Sequence, residues 1–469
     1  MGNAKWLYGA VGIVILITAI VFVRKTDMKE ITVAKNEVIS IAVTRGVALD
    51  PTQSNDVESR LISQLTHRGL LSCQGTNILP DLAAEMPVAT SAGLQFKIRT
   101  GENFSDGSPI SVDHVVSSLN GLAKEESSHT ATWIEWISEV TKVGETELLI
   151  KTKRASPFVL NLLCHPFASV TKIESENRVG AGKYRWARIS EDALELTTKD
   201  QSFPKINLIE FAKHTEARDA LVQGKVALNL AEVSASEDTP LADGLQRQTV
   251  DDRSISMVFY APKMDKNNKI VLGHLRESFS KAEFIKELNP SAVPTRDVLP
   301  EITNTQASAS ELTPLPKPVQ VRFVTPRSDD SAEFSRKLAT QLQSGNIQVE
   351  HVETDSKTFE KQIEGRRAEL WGAVVRSPYA WPFETVEACK KYSPNFLKYP
   401  KTDAVLAKIN QASLSEATNL LSELNSALLE ESYCIPLARQ TLSIIGRGAE
   451  STREAAENLL NWIRKARET

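Results

Sequence analysis

No cysteine pair in this chain has the close spacing of a zinc knuckle or a thioredoxin-type site. The four cysteines, Cys73, Cys164, Cys389 and Cys434, lie far apart. The seven histidines are scattered as well, with no HExxH and no i,i+4 pair, so a metal site has no support. No G-x-S-x-G nucleophile elbow occurs. Gly180-Ala181-Gly182-Lys183 is too short for a phosphate loop, and Tyr184 follows where Ser or Thr is needed. A tight turn before a strand is expected there. The acidic pairs Asp251-Asp252 and Asp329-Asp330 read as solvated caps at turns. A dominant charge is missing too: Lys and Arg total 55 against 59 Asp and Glu, a net charge of −4. Such a balance offers no bulk positive field for nucleic acid. The basic pairs Arg366-Arg367 and Lys390-Lys391 are too short to be more than solvated surface. The expectation is therefore a protein without catalytic residues, cofactor, metal or nucleic-acid partner, and not an enzyme.

What is present is globular. The chain has 469 residues, 41% hydrophobic and 24% charged, enough for two to three domains with a sizeable core. Four cysteines suit one or two disulfides in an oxidising compartment, or buried free thiols, since Cys164 lies in the apolar run Leu160–Phe167. One long hydrophobic run exists. Leu7 to Val23 is uncharged, with Lys5 before it and Arg24-Lys25 after it. At 1.5 Å per residue it spans about 25 Å, slightly short of a bilayer core. Trp6 and Tyr8 suit an interface, and Lys5 and Arg24 can snorkel. No small-x-small site and no cysteine follow, so an uncleaved, non-lipidated single-pass anchor is expected over residues 1–25, with a tether over 26–36. Arg24, Lys25 and Lys29 oppose an outward orientation by the positive-inside rule.

Periodicity predicts an α/β chain. Strands are expected at Val38–Thr44, Leu94–Ile98, Glu147–Lys151, Leu194–Thr198, Asn207–Phe211 and Ile255–Tyr260. Helices are expected from Asp56 to Leu71, after the N-cap Ser111, and over Glu216–Gln223 and Leu275–Leu288. Asn289 to Pro318 reads as a surface loop. Strands at Val319–Thr325, Ile347–Val352 and Glu369–Val375 alternate with helices at Ala332–Leu342 and Phe359–Glu364, which implies a sheet with helices on a face. Asp403–Ile409 and Glu416–Leu429 are helical. A last helix runs to Lys465, capped by Ser451 with Glu454.

Residues 94–116, LQFKIRTGENFSDGSPISVDHVV, resemble the signature of the family 5 extracellular solute-binding proteins, the oligopeptide- and dipeptide-binding subunits of ABC importers. Other segments match in order: Leu49-Asp50-Pro51, Arg68-Gly69-Leu70-Leu71, Leu79-Pro80-Asp81-Leu82-Ala83, the Gly180 to Tyr184 turn, Asn395 with Tyr399 and Asp403, and Ile435-Pro436-Leu437. The resemblance covers roughly residues 37–445. It implies a two-lobed periplasmic binding protein-like fold, type II of the peptide-binding class, preceded here by a transmembrane helix. Lobe I is expected over 37–255, with a subdomain at about 50–165, and lobe II over 256–440. Residues 441–469 would return to lobe I and form the terminal helix.

The resemblance further implies a monomer at the periplasmic or extracellular face of the cytoplasmic membrane, where the apolar run at 7–23 would tether it. It would enclose a peptide or other small solute and pass it to ABC permease subunits. The alternative is a diverged anchored scaffold or sensor that uses the two lobes without transport. Peptide binders of the family place an Asp for the ligand's amino terminus after a Trp-containing second-lobe strand. In this chain residues 370–383 hold no acid, and Arg376 or Ser377 stands at that place. A cation there favours a carboxylate or phosphate, or else is a surface Arg in a diverged loop. Tyr379 and Trp381 are expected to line an aromatic pocket with Tyr260 near the hinge, whereas Trp371 is expected in the core. Arg45, Gln53, Ser54 and Asn55 are expected opposite them.

Overall fold

A computed structural model describes residues 38–447, apart from 45, 55–56, 75–76, 125–132, 155, 175–176, 202, 233–244, 264, 280–284, 286–292, 301, 303–313, 316, 327–336, 338–339, 341–345, 366–367 and 377–381. The apolar run at 7–23 and the terminal helix lie outside the described residues, and of the expected Ala332–Leu342 helix only Lys337 and Thr340 are described, both helical. No described helix is long and apolar enough to cross a membrane.

The chain opens with β1 (Val38–Thr44), a 3-10 turn at Pro51–Gln53 and α1 (Val57–Thr66). A small subdomain follows. It contains the hairpin β2 (Leu71–Gln74) and β3 (Asn77–Pro80), then β4 (Val88–Thr90), β5 (Gly93–Lys97), α2 (Val112–Gly121), β6 (Ile137–Lys142) and β7 (Glu147–Thr152). After α3 (Val159–Leu162) and a 3-10 turn at Pro166–Ala168 comes the hairpin β8 (Thr171–Glu174) and β9 (Asn177–Gly180). The chain then returns to the main sheet through β10 (Arg185–Ser190), β11 (Ala193–Thr197), β12 (Lys205–Phe211), α4 (His214–Val222) and β13 (Leu228–Glu232). The long β14 (Leu245–Tyr260) leads into the second lobe. There lie α5 (Asn268–Phe279), β15 (Val293–Pro294), β16 (Val319–Pro326), β17 (Ile347–Thr354), α6 (Ser356–Glu364), β18 (Leu370–Arg376), α7 (Pro382–Tyr392), α8 (Pro400–Gln411), α9 (Leu414–Asn419) and α10 (Leu421–Glu431). Finally β19 (Cys434–Arg447) runs back to the first lobe.

One sheet runs through both lobes in the order β10-β11-β12-β1-β13-β19-β14-β18-β16-β17. β1 is parallel to β12 on one side and to β13 on the other. That central place explains its buried Ile41-Ala42-Val43 run. β14 and β19 connect the lobes. They pair as Leu245–Asp251 with Thr441–Arg447 and again as Ile255–Phe259 with Cys434–Arg439, with a register shift between Asp251 and Ile255. β13 joins β19 on the first-lobe half, and β18 joins β14 on the second. The result is a two-lobed α/β periplasmic binding protein fold.

Of the two states left open for the cysteines, the structure has disulfides, Cys73 with Cys164 and Cys389 with Cys434, at Cα separations of 5.6 and 5.8 Å. Several other expectations are corrected. The helix expected from Leu275 begins earlier, at Asn268, and is described to Phe279, because Val271, Leu272, Leu275 and Phe279 form its buried stripe; Ile285 is helical as well, and 280–284 and 286–288 lie outside the described residues. The 416–429 helix breaks at Leu420, and Ser413 with Glu416 caps the first piece in a capping box. Asp251-Asp252 lies inside β14, not at a turn. Part of the expected surface loop is core: Val298 and Leu299 are buried. The Asn425 amide oxygen accepts from both their N–H groups, and its NH₂ donates to Asp297.

Candidate functional site

The signature segment builds structure within the first lobe. Ser111 caps α2 by accepting from the His114 N–H, and the His114 imidazole accepts from the Ser111 N–H. Asp106, at the loop tip, accepts from the Ser108 N–H and hydroxyl and pairs with Lys172 of β8. That hydrogen bond from Lys172 holds the Asp106 carboxyl far below the usual range. The Ser105 N–H donates to the Gly180 carbonyl at 2.9 Å. Gly180 and Gly182 then press against the end of α1. A Cβ at either would fall 2.2 to 2.3 Å from Thr66 backbone atoms, so the Gly-x-Gly turn is a close-packing device. Arg68, Asp81 and Glu102, from three of the matching segments, form one ion cluster at 2.6 and 2.7 Å. Beside it lies His67, fully buried, whose Nδ1 shares a 2.8 Å hydrogen bond with the Thr66 hydroxyl. Its Nε2 has no hydrogen-bond partner among the described residues. Burial pushes its pKa down to about 4, against the opposing charge of Asp50.

The place where the lobes meet is different. From the first lobe come a helical turn at 133–136, α3 and the 3-10 turn after it. Trp133 meets Phe167 edge-on at 6.3 Å, and His165 stacks on Phe167 at 4.3 Å. From the second lobe comes the start of α7. Its Phe383 packs on Trp136 at 4.6 Å and edge-on to Phe158 at 6.2 Å. Arg154 lies over the Trp136 ring at 5.2 Å and pairs with Glu135. Glu387, one turn beyond Phe383, is half-buried. Desolvation, then the charge of Glu135, raise its pKa, while Arg154 and Lys390 oppose. Trp136, Phe158 and Phe383 are buried in one core cluster, so here the lobes pack directly on each other, with the Arg154–Glu135 pair at the partly exposed edge of the contact.

The expected site residues are distributed as follows. Gln53 is exposed on the 3-10 turn, which packs beside the Pro166–Ala168 turn. Ser54 is buried, its hydroxyl 2.7 Å from that of Ser63. Tyr260 lies in the second-lobe core, stacked on Tyr433 at 5.8 Å. Trp371 is in the core against Phe259, as expected. Arg376 ends β18 opposite Ser254. Arg45, Asn55, Ser377, Tyr379 and Trp381 lie outside the described residues. Sequence reasoning missed Trp136, Phe158, Arg154, Phe383 and Glu387. The available signal was Pro382-Phe383-Glu384, with Pro at a helix start.

The family described as bacterial extracellular solute-binding proteins, family 5 Middle, matches residues 77–284. No curated protein sequence matches the chain. Among solved structures, the fold is similar to DppA from Helicobacter pylori, an ABC transporter-associated periplasmic binding protein in complex with the peptide STSA. That likeness has a TM-score of 0.68 at 15% identity and covers 89% of this chain and 97% of that one. Clavulanic acid biosynthesis oligopeptide binding protein 2 gives a TM-score of 0.72 at 14% identity, covering 88% and 92%. NikA from Staphylococcus aureus, in complex with Ni(L-His)2, gives 0.64 at 16%, covering 88% and 95%. At these identities the likeness is one of fold. The family match covers residues 77–284 and contains the signature segment, so over that stretch the chain is similar to the family 5 extracellular solute-binding proteins.

Proposed function

We propose that this protein is an extracytoplasmic receptor that encloses a peptide or other small solute between its lobes and presents it to ABC permease subunits. It binds without chemistry, and the apolar run at 7–23 tethers it to the membrane. The observation that carries this reading is the seam, where Trp136 and Phe158 of one lobe meet Phe383 of the other next to a charged cluster. Contacts that exist only when lobes meet make closure and binding one equilibrium. The lobe limits proposed from the sequence, 37–255 and 256–440, place the two crossings on β14 and β19.

The solute is not a peptide held by a free amino terminus in the family's usual way. A buried ammonium needs a paired charge, and residues 370–383 hold no acid. Arg376 suits an anionic group instead. The test is calorimetry against di- to pentapeptides, free and acetylated. Binding that survives acetylation and is lost in Arg376→Glu is the expected result. Binding abolished by acetylation overturns the assignment. Deleting residues 1–25 is expected to give a soluble folded product, and a C-terminal reporter on the full chain is expected outside the cytoplasm.

A further inference from the structure

Each of the two faces that meet at the seam is fixed within its own lobe. Phe158 stands at the start of α3, and Cys164, just past the end of that helix, is bridged to Cys73 of β2. Phe383 lies in the first turn of α7, and Cys389 of the same helix is bridged to Cys434 at the start of β19. Tyr392, at the far end of α7, meets Phe259 of β14 edge-on at 5.1 Å and Trp371 of β18 at 6.1 Å. Cys434 is in turn the ladder partner of Phe259. The C-terminal end of α7 is therefore fastened to the strands that connect the lobes, and its N-terminal end is set against the first lobe.

The contact between the faces is dry. Trp136 is 1% exposed, Phe158 2% and Phe383 5%. All three belong to one buried cluster, which continues through Phe96 and Val140 of the subdomain on one side and Val386 and Cys389 of α7 on the other. The partners in that cluster are all side chains of this chain, so their burial stabilises the joined lobes with or without a solute. A solute shifts an equilibrium between two conformations only by its differential affinity for them. Where the chain's own packing already favours one conformation, the solute has little closing left to do.

We infer that the first turn of α7 is a latch that holds the lobes together at rest, with Phe383 as its tongue and Trp136 and Phe158 as its socket. Solute exchange then waits on unlatching; closure does not wait on the solute. This rests on the receptor reading above and sets the resting position of its closure equilibrium. It also gives the small subdomain a task, since it supplies Trp136 to the socket.

The test is an interlobe distance, read by double electron–electron resonance on the full chain in detergent. Spin labels go on Glu85→Cys in the subdomain and Lys398→Cys in the second lobe, both exposed positions. Any solute carried through purification is first removed by washing in sub-denaturing guanidinium. One short distance is expected, unchanged when the acetylated di- to pentapeptides are added. Phe383→Ala should add a second, longer distance, its closed-to-open ratio falling about a hundredfold. Phe158→Ala breaks the contact from the other lobe and should act in the same direction. Phe383→Leu keeps apolar bulk and should restore most of the short distance. Circular dichroism checks that each variant is folded, and the unsubstituted chain decides the resting state in any case. A long or broad distance in the washed, unsubstituted chain overturns the latch; if the peptides then shorten it, closure is driven by solute and the receptor reading stands. A short distance that neither alanine variant lengthens overturns the latch as well, because the lobes are then fastened elsewhere. Failure of every peptide in calorimetry would count against the receptor reading alone, since the latch is judged on the distance.

Discussion

The signature segment and the start of α7 make opposite uses of conspicuous residues. In the signature, Asp106, Ser105 and Ser111 are consumed within the first lobe: they bind Lys172, the Gly180 carbonyl and the end of α2. At α7, Phe383 and Glu387 face residues of the other lobe. The lesson is that the most recognisable motif reports the scaffold, whereas the surface on which binding would act carries no motif at all. Scaffold bonds depend on neighbours a few elements away. Seam contacts depend on two lobes meeting, and many different side chains satisfy that.

The contrast can be broken first at the disulfides. Cys73–Cys164 and Cys389–Cys434 close 91- and 45-residue separations, one within the signature lobe and one at α7. Reduction or Cys→Ser at either is expected to cost about 4 kcal/mol on the chain-entropy account. Denaturant titration with a probe in each lobe should show the loss confined to the lobe that held the bridge. A loss shared equally by both lobes would dissolve the distinction.

Next comes the buried histidine behind the signature. His67 has a folded pKa of about 4 against an ordinary value of 6.5. Between these values the unfolded chain binds the proton and the folded one does not, so stability rises with pH across that window. It is fully present above about pH 6.5 and lost as pH falls toward 4, by about 3 kcal/mol. The groups acting on His67 are Asp50 and Arg178. Thermal midpoints from pH 7 to pH 4 measure it, and His67→Gln should flatten the slope. An unchanged slope would remove His67 as its source.

Phe383→Ala is expected to separate the lobes while leaving each folded, at a cost of about 3 kcal/mol in the coupling. Scattering should report a larger radius, and calorimetry should resolve two transitions in place of one. The smallest effect is at Glu387. Its pKa is raised, so the ionised form weakens the folded seam, and stability increases as pH falls through that pKa. Glu387→Gln should tighten the seam slightly, by less than about 1 kcal/mol. A loosened seam would mean that attraction to Arg154 outweighs repulsion by Glu135.

Much of the fold was legible because its causes are local. The VISIAVT run became β1 at the expected bounds, since its alternation of apolar and polar residues is a local strand signal, although β12 and β13 on its two sides bury Ile41, Ala42 and Val43 together. Ser111 capped α2, because a side-chain oxygen two or three residues from orphan N–H groups acts within its own turn. The candidate site was far less legible. Gln53 and Ser54 were placed on the turn after β1, but Trp136, Phe158, Phe383 and Glu387 carried no local sign of meeting.

Residues 245–254, LQRQTVDDRS, are polar and have no strand pattern of their own. They are a strand because β19, nearly two hundred residues later, pairs with 245–251, and Ser254 pairs with Arg376 of β18. The pairing of Cys73 with Cys164 is equally invisible from spacing, since it needs β2 and the end of α3 brought within 5.6 Å. By itself, then, the sequence determined the elements, the caps, the resemblance and the absence of catalytic motifs, all of which rest on interactions within a few residues. Only the tertiary structure decided which cysteines pair, that His67 lies buried under the Gly180 turn, and that the lobes touch through Trp136 and Phe383. Those contacts are set by close packing between segments whose separation in sequence leaves no periodic trace.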